Sequence, residues 1–269
     1  MGGTLHKLLH RPAAEHGGQP GGYVHAVETF GAADGPGLRY VLFTAGCKMR
    51  CLYCHNPDSW TLRDGDWRTV EEVVDDIGRY AAFYRRTGGL TVSGGEPLVQ
   101  ADFVGAVLQQ VKARYGLHIA LDTNGSLAAS VPDAWFDPVD LVLLDIKQMN
   151  PARHRALTGL ELQPTLDLAR RLDRIGKRAW IRYVLVPGHT DDHEDVEALA
   201  GFVATLGNVE RLEILPFHKM GESKWAELGR KYQLADTPAP DAALIERVKR
   251  QFERQFERQF ERRPIMVVA

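Results

Sequence analysis

Apolar and amphipathic segments alternate along most of the chain. Short runs rich in β-branched and aromatic residues predict strands, and stretches with apolar residues at helical spacing predict helices. Predicted strands cover residues 23–30, 38–44, 90–93, 117–122, 141–147, 178–186 and 209–215. Predicted helices cover residues 69–86, 101–114, 165–175 and 191–206, two short stretches near Trp135 and Lys224, and the segment from Asp241 onward.

The order of these elements predicts the fold class. Six β-then-α units follow the lead-in strand at 23–30, and such alternation is typical of a parallel sheet with right-handed crossovers. About eight units would close a barrel. Six therefore predict an α/β fold with an open, partial (β/α)6 TIM-like barrel.

The two ends of the chain differ in composition from this core. Residues 1–22 are rich in Gly, His and Pro and lack the apolar region of a secretion signal, so we expect a loose N-terminal extension. Residues 23–269 are predicted to form one core domain that ends in a C-terminal helix. The four-residue repeat over 250–262 predicts an expanded terminal helix that covers the core.

Composition and charge exclude several classes of protein. With 33 basic and 35 acidic residues, the chain has no broad positive field, so no nucleic-acid partner is expected. No apolar run approaches the ~20 residues that a membrane span needs. The chain has three cysteines, all within residues 47–54, which cannot form a disulfide framework. We expect a reducing compartment, the cytoplasm, with the thiols committed to a metal.

The spacing of Cys47, Cys51 and Cys54 is the strongest chemical signal. It places three thiolates on a tight loop, whereas a 4Fe–4S cluster normally takes four. One iron would then have no cysteine ligand and would keep a position open for a substrate. The alternative is a structural zinc site with His55 as fourth ligand, but zinc ligands are usually at least two residues apart.

Polar residues occur where the predicted strands end, and in barrel-like folds the active site lies at these strand ends. The segment Gly94-Gly95-Glu96 follows one strand, and its glycines would allow close approach of backbone to a ligand. Its carboxylate suits an ammonium group. A simple turn is the alternative interpretation.

Three further charged residues, Asp122, Asp145 and Lys147, end neighbouring predicted strands and are expected to converge. The lysine suits a carboxylate, and the aspartates suit an ammonium or a cation. The alternative interpretations are that the aspartates cap the helices that follow them and that Lys147 is a surface residue. Arg182 lies among apolar residues, so it must be paired or face a polar cavity. His218 follows the last strand and is either structural or in contact with a ligand.

The cysteine spacing resembles that of the radical S-adenosylmethionine superfamily. The resemblance implies the barrel of that superfamily and a cluster whose iron without cysteine binds the methionine moiety of S-adenosylmethionine. An electron from the cluster would cleave the cofactor to methionine and a 5′-deoxyadenosyl radical. Gly94, Gly95 and Glu96 resemble the superfamily motif that receives the methionine amino group.

An ordered set of motifs narrows the resemblance to the pyruvate formate-lyase activating enzymes. The motifs are Asp34-Gly-Pro-Gly-Leu-Arg39, Cys54-His-Asn56, Leu121-Asp-Thr-Asn-Gly125, Leu144-Asp-Ile-Lys-Gln-Met149, Trp180-Ile-Arg-Tyr-Val184, Leu215-Pro-Phe-His218 and Lys224-Trp225.

The family resemblance implies a role for each of these residues. His55 is expected near adenine, with Tyr53, Arg182 and His218 among the cofactor-binding residues. Asp122 and Lys147 are expected to anchor the methionine end of the cofactor. Asp122 and Asp145 resemble a monovalent-cation site, and Asp34 and Arg182 are expected to meet the incoming peptide.

The family activity implied is hydrogen-atom abstraction from a glycine of pyruvate formate-lyase, which generates a glycyl radical. A flavodoxin or ferredoxin is the implied electron donor, and a monomer is expected. Alternatives are activation of another glycyl radical enzyme, radical chemistry on a small molecule, or a zinc-binding interaction module. The absence of cysteine outside the loop disfavours activases with ferredoxin-like inserts.

Overall fold

The computed structural model of the protein describes residues 19–257 and 265–269. They divide into two compact units: residues 19–47, 59–123 and 131–140 form the first, and the other described residues form the second. The prediction of one domain over 23–269 stays a prediction. Residues 1–18 of the expected extension and 258–262 of the repeat lie outside the described residues. Among the described helices, none has the length and apolar character that a membrane span requires.

Over the residues that the structure describes, the first unit contains five strands and two α-helices. The strands are β1 (Gly21–Gly31), β2 (Leu38–Thr44), β3 (Asp66–Thr69), β4 (Gly88–Gly94) and β5 (His118–Thr123), and the helices are α1 (Val70–Thr87) and α2 (Ala101–Tyr115). Strands β2, β4 and β5 are parallel neighbours. Strand β1 pairs antiparallel with both β2 and β3, which confirms the predicted lead-in strand.

The second unit contains four strands and five helices within the described residues. The strands are β6 (Leu141–Asp145), β7 (Ala179–Leu185), β8 (Val209–Pro216) and β9 (Met266–Val268). The helices are α3 (Pro151–Thr158), α4 (Gln163–Arg174), α5 (His193–Ala204), α6 (Glu222–Glu227) and α7 (Ala242–Glu257). Each strand pairs parallel with the next. The sequence did not predict β3, β9 or α3.

The strand order is β3-β1-β2-β4-β5 in the first unit and β6-β7-β8-β9 in the second. The six strands predicted to begin β-then-α units are β2, β4 and β5 in the first unit and β6, β7 and β8 in the second. Within each set, neighbouring strands are parallel. The predicted α/β class with an open, partial barrel is therefore confirmed.

Apolar runs explain why the strands form where they do. Tyr40, Val41 and Leu42 are consecutive in β2 and wholly buried, so both faces of this strand are covered, as is usual for parallel sheets. Val142 and Leu143 show the same pattern in β6. The core therefore lies along these strands. The polar residues with candidate chemical roles follow the ends of the strands.

The terminal helix covers apolar surface as predicted, over the part of the repeat that the structure describes. Phe252 is buried, and its ring lies 6.1 Å from that of Tyr183 in β7. Gln251, also buried, donates to the His193 carbonyl at 3.1 Å. One phenylalanine and one glutamine of the repeat thus pack against the rest of the second unit.

Helix α1 begins with the predicted capping box. The Thr69 hydroxyl accepts from the Glu72 amide at 3.2 Å, and the Glu72 carboxylate accepts from the Thr69 amide at 2.7 Å. Both bonds satisfy amide groups that the first turn of a helix leaves without partners.

Thr69→Ala removes one of these two bonds. We expect it to lower the free energy of unfolding by about 1 kcal/mol. Urea unfolding followed by far-UV circular dichroism measures the change. Thr69→Ser keeps the hydroxyl and should unfold close to the wild-type midpoint. Equal midpoints for Thr69→Ala and wild type would contradict a stabilising role for this cap.

Candidate functional site

The cysteine loop begins directly after β2 and is closed at its base by backbone hydrogen bonds. The Gly46 amide donates to the Ser59 carbonyl at 2.7 Å, and the Cys47 amide donates to the Trp60 carbonyl at 3.1 Å. Gly46 has a φ of +95°, which favours glycine at this turn. The chain that enters the loop is thus fixed to the chain that leaves it.

The glycine-rich segment after β4 packs against the start of this loop. The Glu96 amide donates to the Gly46 carbonyl at 2.8 Å. A Cβ atom on Gly95 would lie 2.4 Å from that carbonyl oxygen, so a side chain has no room there. These glycines thus lie close to the residue before Cys47, and their predicted close approach to a ligand stays a prediction.

Two carboxylates mark the ends of β4 and β5 in the first unit. Glu96 is 1% exposed, and its carboxylate accepts from the Thr123 hydroxyl at 2.6 Å and from the Leu98 amide at 3.1 Å. The Asp122 carboxylate accepts from the Ser93 hydroxyl at 2.7 Å. The structure therefore holds both predicted carboxylates by hydrogen bonds from hydroxyl or amide groups.

Asp34 lies in the loop between β1 and β2, and buried polar groups fix its backbone. The Thr91 hydroxyl donates to the Asp34 carbonyl at 2.6 Å and accepts from Arg39 Nε at 2.9 Å. The Arg39 guanidinium also donates to the Pro36 carbonyl at 3.3 Å. Burial lowers the pKa of Arg39 to about 10, so it stays protonated at neutral pH.

This loop lies on the polar face of the first unit's sheet. A Cβ atom on Gly35 would be 3.6 Å from that of Ala120 in β5. Ser93 and Asp122 follow on the same face, because side chains two residues apart along a strand point the same way. Asp34 thus lies closer than Asp122 to the amino ends of β4 and β5.

In the second unit, Cys51 lies between two backbone contacts with the end of α3. The Arg50 amide donates to the Thr158 carbonyl at 2.7 Å, and the Leu52 amide donates to the Leu157 carbonyl at 3.0 Å. Carbonyls in the last turn of a helix have no partner inside the helix. The cysteine loop supplies two of those partners.

The sequence analysis missed α3, although the signals of its two ends are in the chain. The Asn150 side chain accepts from the Ala152 amide at 3.0 Å, Pro151 opens the helix, and Gly159 follows it with a φ of +79°. Asn at the cap, Pro at the first position and Gly after the end are the usual helix boundaries.

Burial raises the pKa of the Cys51 thiol to about 12. A metal that binds this sulfur must therefore displace its proton, since the thiolate is the ligand form. Cys47 and Cys54 are half-buried, and all three cysteines are present as thiols.

The residues that follow Cys54 contact α6 and the segment before it. The Trp225 indole donates to the Cys54 carbonyl at 2.9 Å. The Lys224 ammonium lies 2.9 Å from the Asn56 side-chain oxygen and 3.0 Å from the Asp58 carboxylate. Two motifs that lie far apart in the sequence thus meet in the second unit.

His55 and His218, both predicted to bind the cofactor, lie against each other. Their ring centroids are 4.2 Å apart with 33° between the planes. The His55 Nε2 hydrogen is donated to the His218 carbonyl at 3.0 Å. Burial lowers the pKa of His55, so the ring is neutral at neutral pH. Gly221 packs on the backbone of His55, where a Cβ atom would be 2.6 Å from the His55 Cα.

Lys147 and Asp145 form an ion pair at the end of β6. Their charged atoms are 2.5 Å apart, and the side chains are only 12% and 20% exposed. Burial alone would lower the pKa of Lys147, but Asp145 more than offsets it, so the pKa is raised. The ammonium also lies 5.7 Å from the ring centroid of Tyr53.

Asp145 belongs to a row of alternating charge across three strands. It is the register partner of Arg182 in β7, which in turn is the register partner of Glu213 in β8. Arg182 Nε lies 3.7 Å from the Glu213 carboxylate. This confirms that Arg182 has a charged partner. Glu213 was missed because an acidic residue inside a predicted strand gives no signal of its own.

The side chains of the cysteine loop include groups suited to bind a cluster and a polar ligand. Three thiols are available on one loop, and the buried Tyr53 hydroxyl has no hydrogen-bond partner among the described residues. No three His, Cys, Asp or Glu side chains within the described ranges form a group that could hold a metal ion. Thiolates of an iron–sulfur cluster bind different iron atoms and need not converge on one point.

Comparison with known proteins identifies the family of this chain. Residues 41–200 match the family described as the radical SAM superfamily. A pyruvate formate-lyase-activating enzyme from Staphylococcus epidermidis is 44% identical over 237 residues, which are 85% of this chain and 94% of the relative. One from Streptococcus mutans is also 44% identical, over 85% of this chain and 90% of the relative. The chain belongs to the pyruvate formate-lyase-activating enzyme family of the radical SAM superfamily.

Structural comparison supports the fold of this family. The structure of Streptococcus suis SuiB bound to precursor peptide SuiA covers 85% of this chain and 48% of its own, with a TM-score of 0.63 and 14% sequence identity. Such low identity shows the fold alone. Membership in the radical SAM superfamily implies a 4Fe–4S cluster and S-adenosylmethionine, and the resemblance drawn from the motifs is confirmed.

Gly221→Ala tests the contact between His55 and the start of α6. The added Cβ would collide with His55 backbone, so overpacking should cost about 1–3 kcal/mol of unfolding free energy. Thermal unfolding of the purified protein measures the loss. In Gly201→Ala, the added Cβ would be 3.6 Å from its nearest neighbour, Gln255 Nε2. This control should therefore unfold at or above the wild-type temperature, because alanine is favoured over glycine within a helix. A Gly221→Ala variant as stable as Gly201→Ala would contradict the tight packing.

Proposed function

We propose that this chain uses a 4Fe–4S cluster and S-adenosylmethionine to generate a glycyl radical on pyruvate formate-lyase. The observation that carries the proposal is family membership over nearly the whole length of relatives that bear the name of this activity. The order and spacing of the cysteines and the Gly-Gly-Glu segment are consistent with it. An activase of another glycyl radical enzyme has no such support.

Cys47, Cys51 and Cys54 would hold the cluster and leave one iron without a cysteine ligand. When bound, the cluster and S-adenosylmethionine would supply the one-electron chemistry for abstraction of a hydrogen atom from a glycine Cα. The protein would position the reacting groups and exclude water from them, because a carbon radical reacts with any neighbouring group.

The proposal also assigns the residues that hold the methionine end of the cofactor. Glu96 would bind the ammonium group, and the backbone of Gly94 and Gly95 would lie close to the cofactor. Asp122 and Lys147 would anchor the same end. The burial of Glu96 and its hydrogen bonds from the Thr123 hydroxyl and the Leu98 amide support the role, since they fix the carboxylate in place.

The nucleoside and the peptide would be bound by the remaining predicted residues. The rings of His55 and His218 lie against each other as a tilted pair, which supports contact with an adenine ring. The buried Tyr53 hydroxyl is available for a polar group of the cofactor. Asp34 and Arg182 would meet the peptide, and their fixed surroundings support a positioning function.

Several finer assignments belong to the same proposal. Asp122 and Asp145 would bind a monovalent cation beside the cofactor. The electron donor would be a flavodoxin or ferredoxin, and the protein would act as a monomer in the cytoplasm, where its thiols stay reduced.

The first test of the activity is anaerobic. Reconstituted protein is mixed with S-adenosylmethionine, a reductant and pyruvate formate-lyase. We expect a glycyl radical doublet in electron paramagnetic resonance together with 5′-deoxyadenosine. Cys51→Ala should abolish both while its far-UV circular dichroism spectrum stays like that of wild type. Deoxyadenosine without a doublet would contradict the partner, and neither product from an intact cluster would contradict the activity.

The second test concerns Glu96. Glu96→Gln keeps the oxygen that accepts from Thr123 and Leu98 but removes the charge. Loss of a charge-assisted hydrogen bond, about 1.5–3 kcal/mol, should weaken S-adenosylmethionine binding by about 10-fold or more. Isothermal titration calorimetry of the cluster-loaded protein measures it. Glu210→Gln removes a surface charge that pairs with Arg178 and should bind normally. Equal affinities for both variants would contradict the assigned role.

A further inference from the structure

The last turn of α3 carries more polar groups than the end of a helix requires. Helix α2 is followed by Gly116 and α3 by Gly159, with φ values of +62° and +79° and the same type of backbone bond. The end of α2 has one added side-chain bond, from the half-exposed Lys112 to the Leu117 carbonyl at 3.2 Å. Counting back from the glycine, α2 has apolar Val111 at the position where α3 has His154. A helix can therefore end at glycine without two buried polar side chains in its last turn, and those of α3 call for another explanation.

His154 is wholly buried and bonded within this turn. Its side chain is 0% exposed, and Nδ1 lies 3.0 Å from the Leu160 carbonyl oxygen. Because a carbonyl only accepts, Nδ1 carries the hydrogen. Nε2 is buried and has no hydrogen-bond partner among the described residues. Burial lowers the pKa of His154, in agreement with a neutral ring.

Thr158 completes the network from the other side of the turn. It is 0% exposed, and its hydroxyl donates to the His154 carbonyl at 2.8 Å. The same hydroxyl accepts from the Leu160 amide at 3.2 Å. The backbone from 157 to 160 is thus fixed by two side chains in addition to the helix itself.

These fixed residues hold the two carbonyls that contact the cysteine loop. The Thr158 and Leu157 carbonyls accept from the amides of Arg50 and Leu52, the two neighbours of Cys51. A displacement of this turn would therefore be passed directly to the backbone on both sides of Cys51. No other function for the buried polar groups is evident from their contacts.

We propose that His154 and Thr158 are positioning residues of the cluster-binding loop. They hold the end of α3 so that Cys51 is in place before a cluster is bound. The inference rests on the proposed function in one respect, that Cys51 is a cluster ligand. Residues that orient metal ligands through hydrogen bonds typically change metal affinity by about 10–100-fold when they are replaced.

Three threonine variants test the inference without relying on activity. Thr158→Val removes the hydroxyl at constant shape, and Thr158→Ser keeps it. Thr190→Val is the matched control, because Thr190 is also 0% exposed and its hydroxyl donates to the Val184 carbonyl at 2.8 Å and accepts from the Val186 amide at 2.7 Å. Each protein is reconstituted anaerobically, and the loss of iron to an Fe²⁺ chelator is followed by absorbance.

We expect Thr158→Val to lose iron about 10-fold faster than wild type, and its reduced-cluster electron paramagnetic resonance spectrum to broaden. Thr158→Ser should restore both properties. Thr190→Val should lose thermal stability to a similar extent but keep the iron-loss rate and the spectrum. Equal iron loss and equal spectra for Thr158→Val and Thr190→Val would overturn the inference.

Histidine variants provide an independent measurement should Thr158→Val fail to fold. His154→Asn keeps a donor near the position of Nδ1, whereas His154→Leu removes it, so only the leucine variant should lose iron faster. Equal rates for the two would also overturn the inference. If wild-type protein itself binds no cluster after reconstitution, the proposed function fails and this inference with it, an outcome distinct from either result above.

Discussion

A loop that supplies metal ligands can be ordered by the metal that it binds or, before binding, by the protein around it. Here backbone hydrogen bonds provide that order. In the first unit, Gly46 and Cys47 are bonded to the chain that leaves the loop. In the second, Arg50 and Leu52 are bonded to the carbonyl end of α3. Since folding into a defined loop costs conformational entropy for each residue, these contacts offset part of the cost before any cluster binds.

The second constraint is the burial of charge at the ends of the strands. Asp145 and Lys147 are paired, and Arg182 and Glu213 are paired on the next two strands. Arg39 instead satisfies its guanidinium with hydroxyl and carbonyl oxygens. Charged groups that are removed from water must find partners, because an isolated buried charge is strongly unfavourable. The site is therefore built from fixed polar groups rather than from mobile surface side chains.

Periodicity predicted most of the fold because long elements contain enough residues to show a pattern. The boundaries of β2 and the start of α1 were predicted correctly from an apolar run and a capping box. Strands β3 and β9 have too few residues to show alternation, and α3 has only two turns. For such elements, pairing with neighbours contributes more than local propensity, and that pairing cannot be read along the chain.

The sequence alone determined the chemistry of this protein, because cysteine spacing and the Gly-Gly-Glu segment are local properties of the chain. It also determined the order of strands and helices, through their apolar periodicity. Only the tertiary structure decided which group each polar residue meets: Cys51 lies between carbonyl contacts of a helix about 100 residues later in the chain, and His55 lies against His218. Strand register and helix packing bring such partners together. Both depend on the whole folded chain, so the sequence next to each residue does not predict its partner.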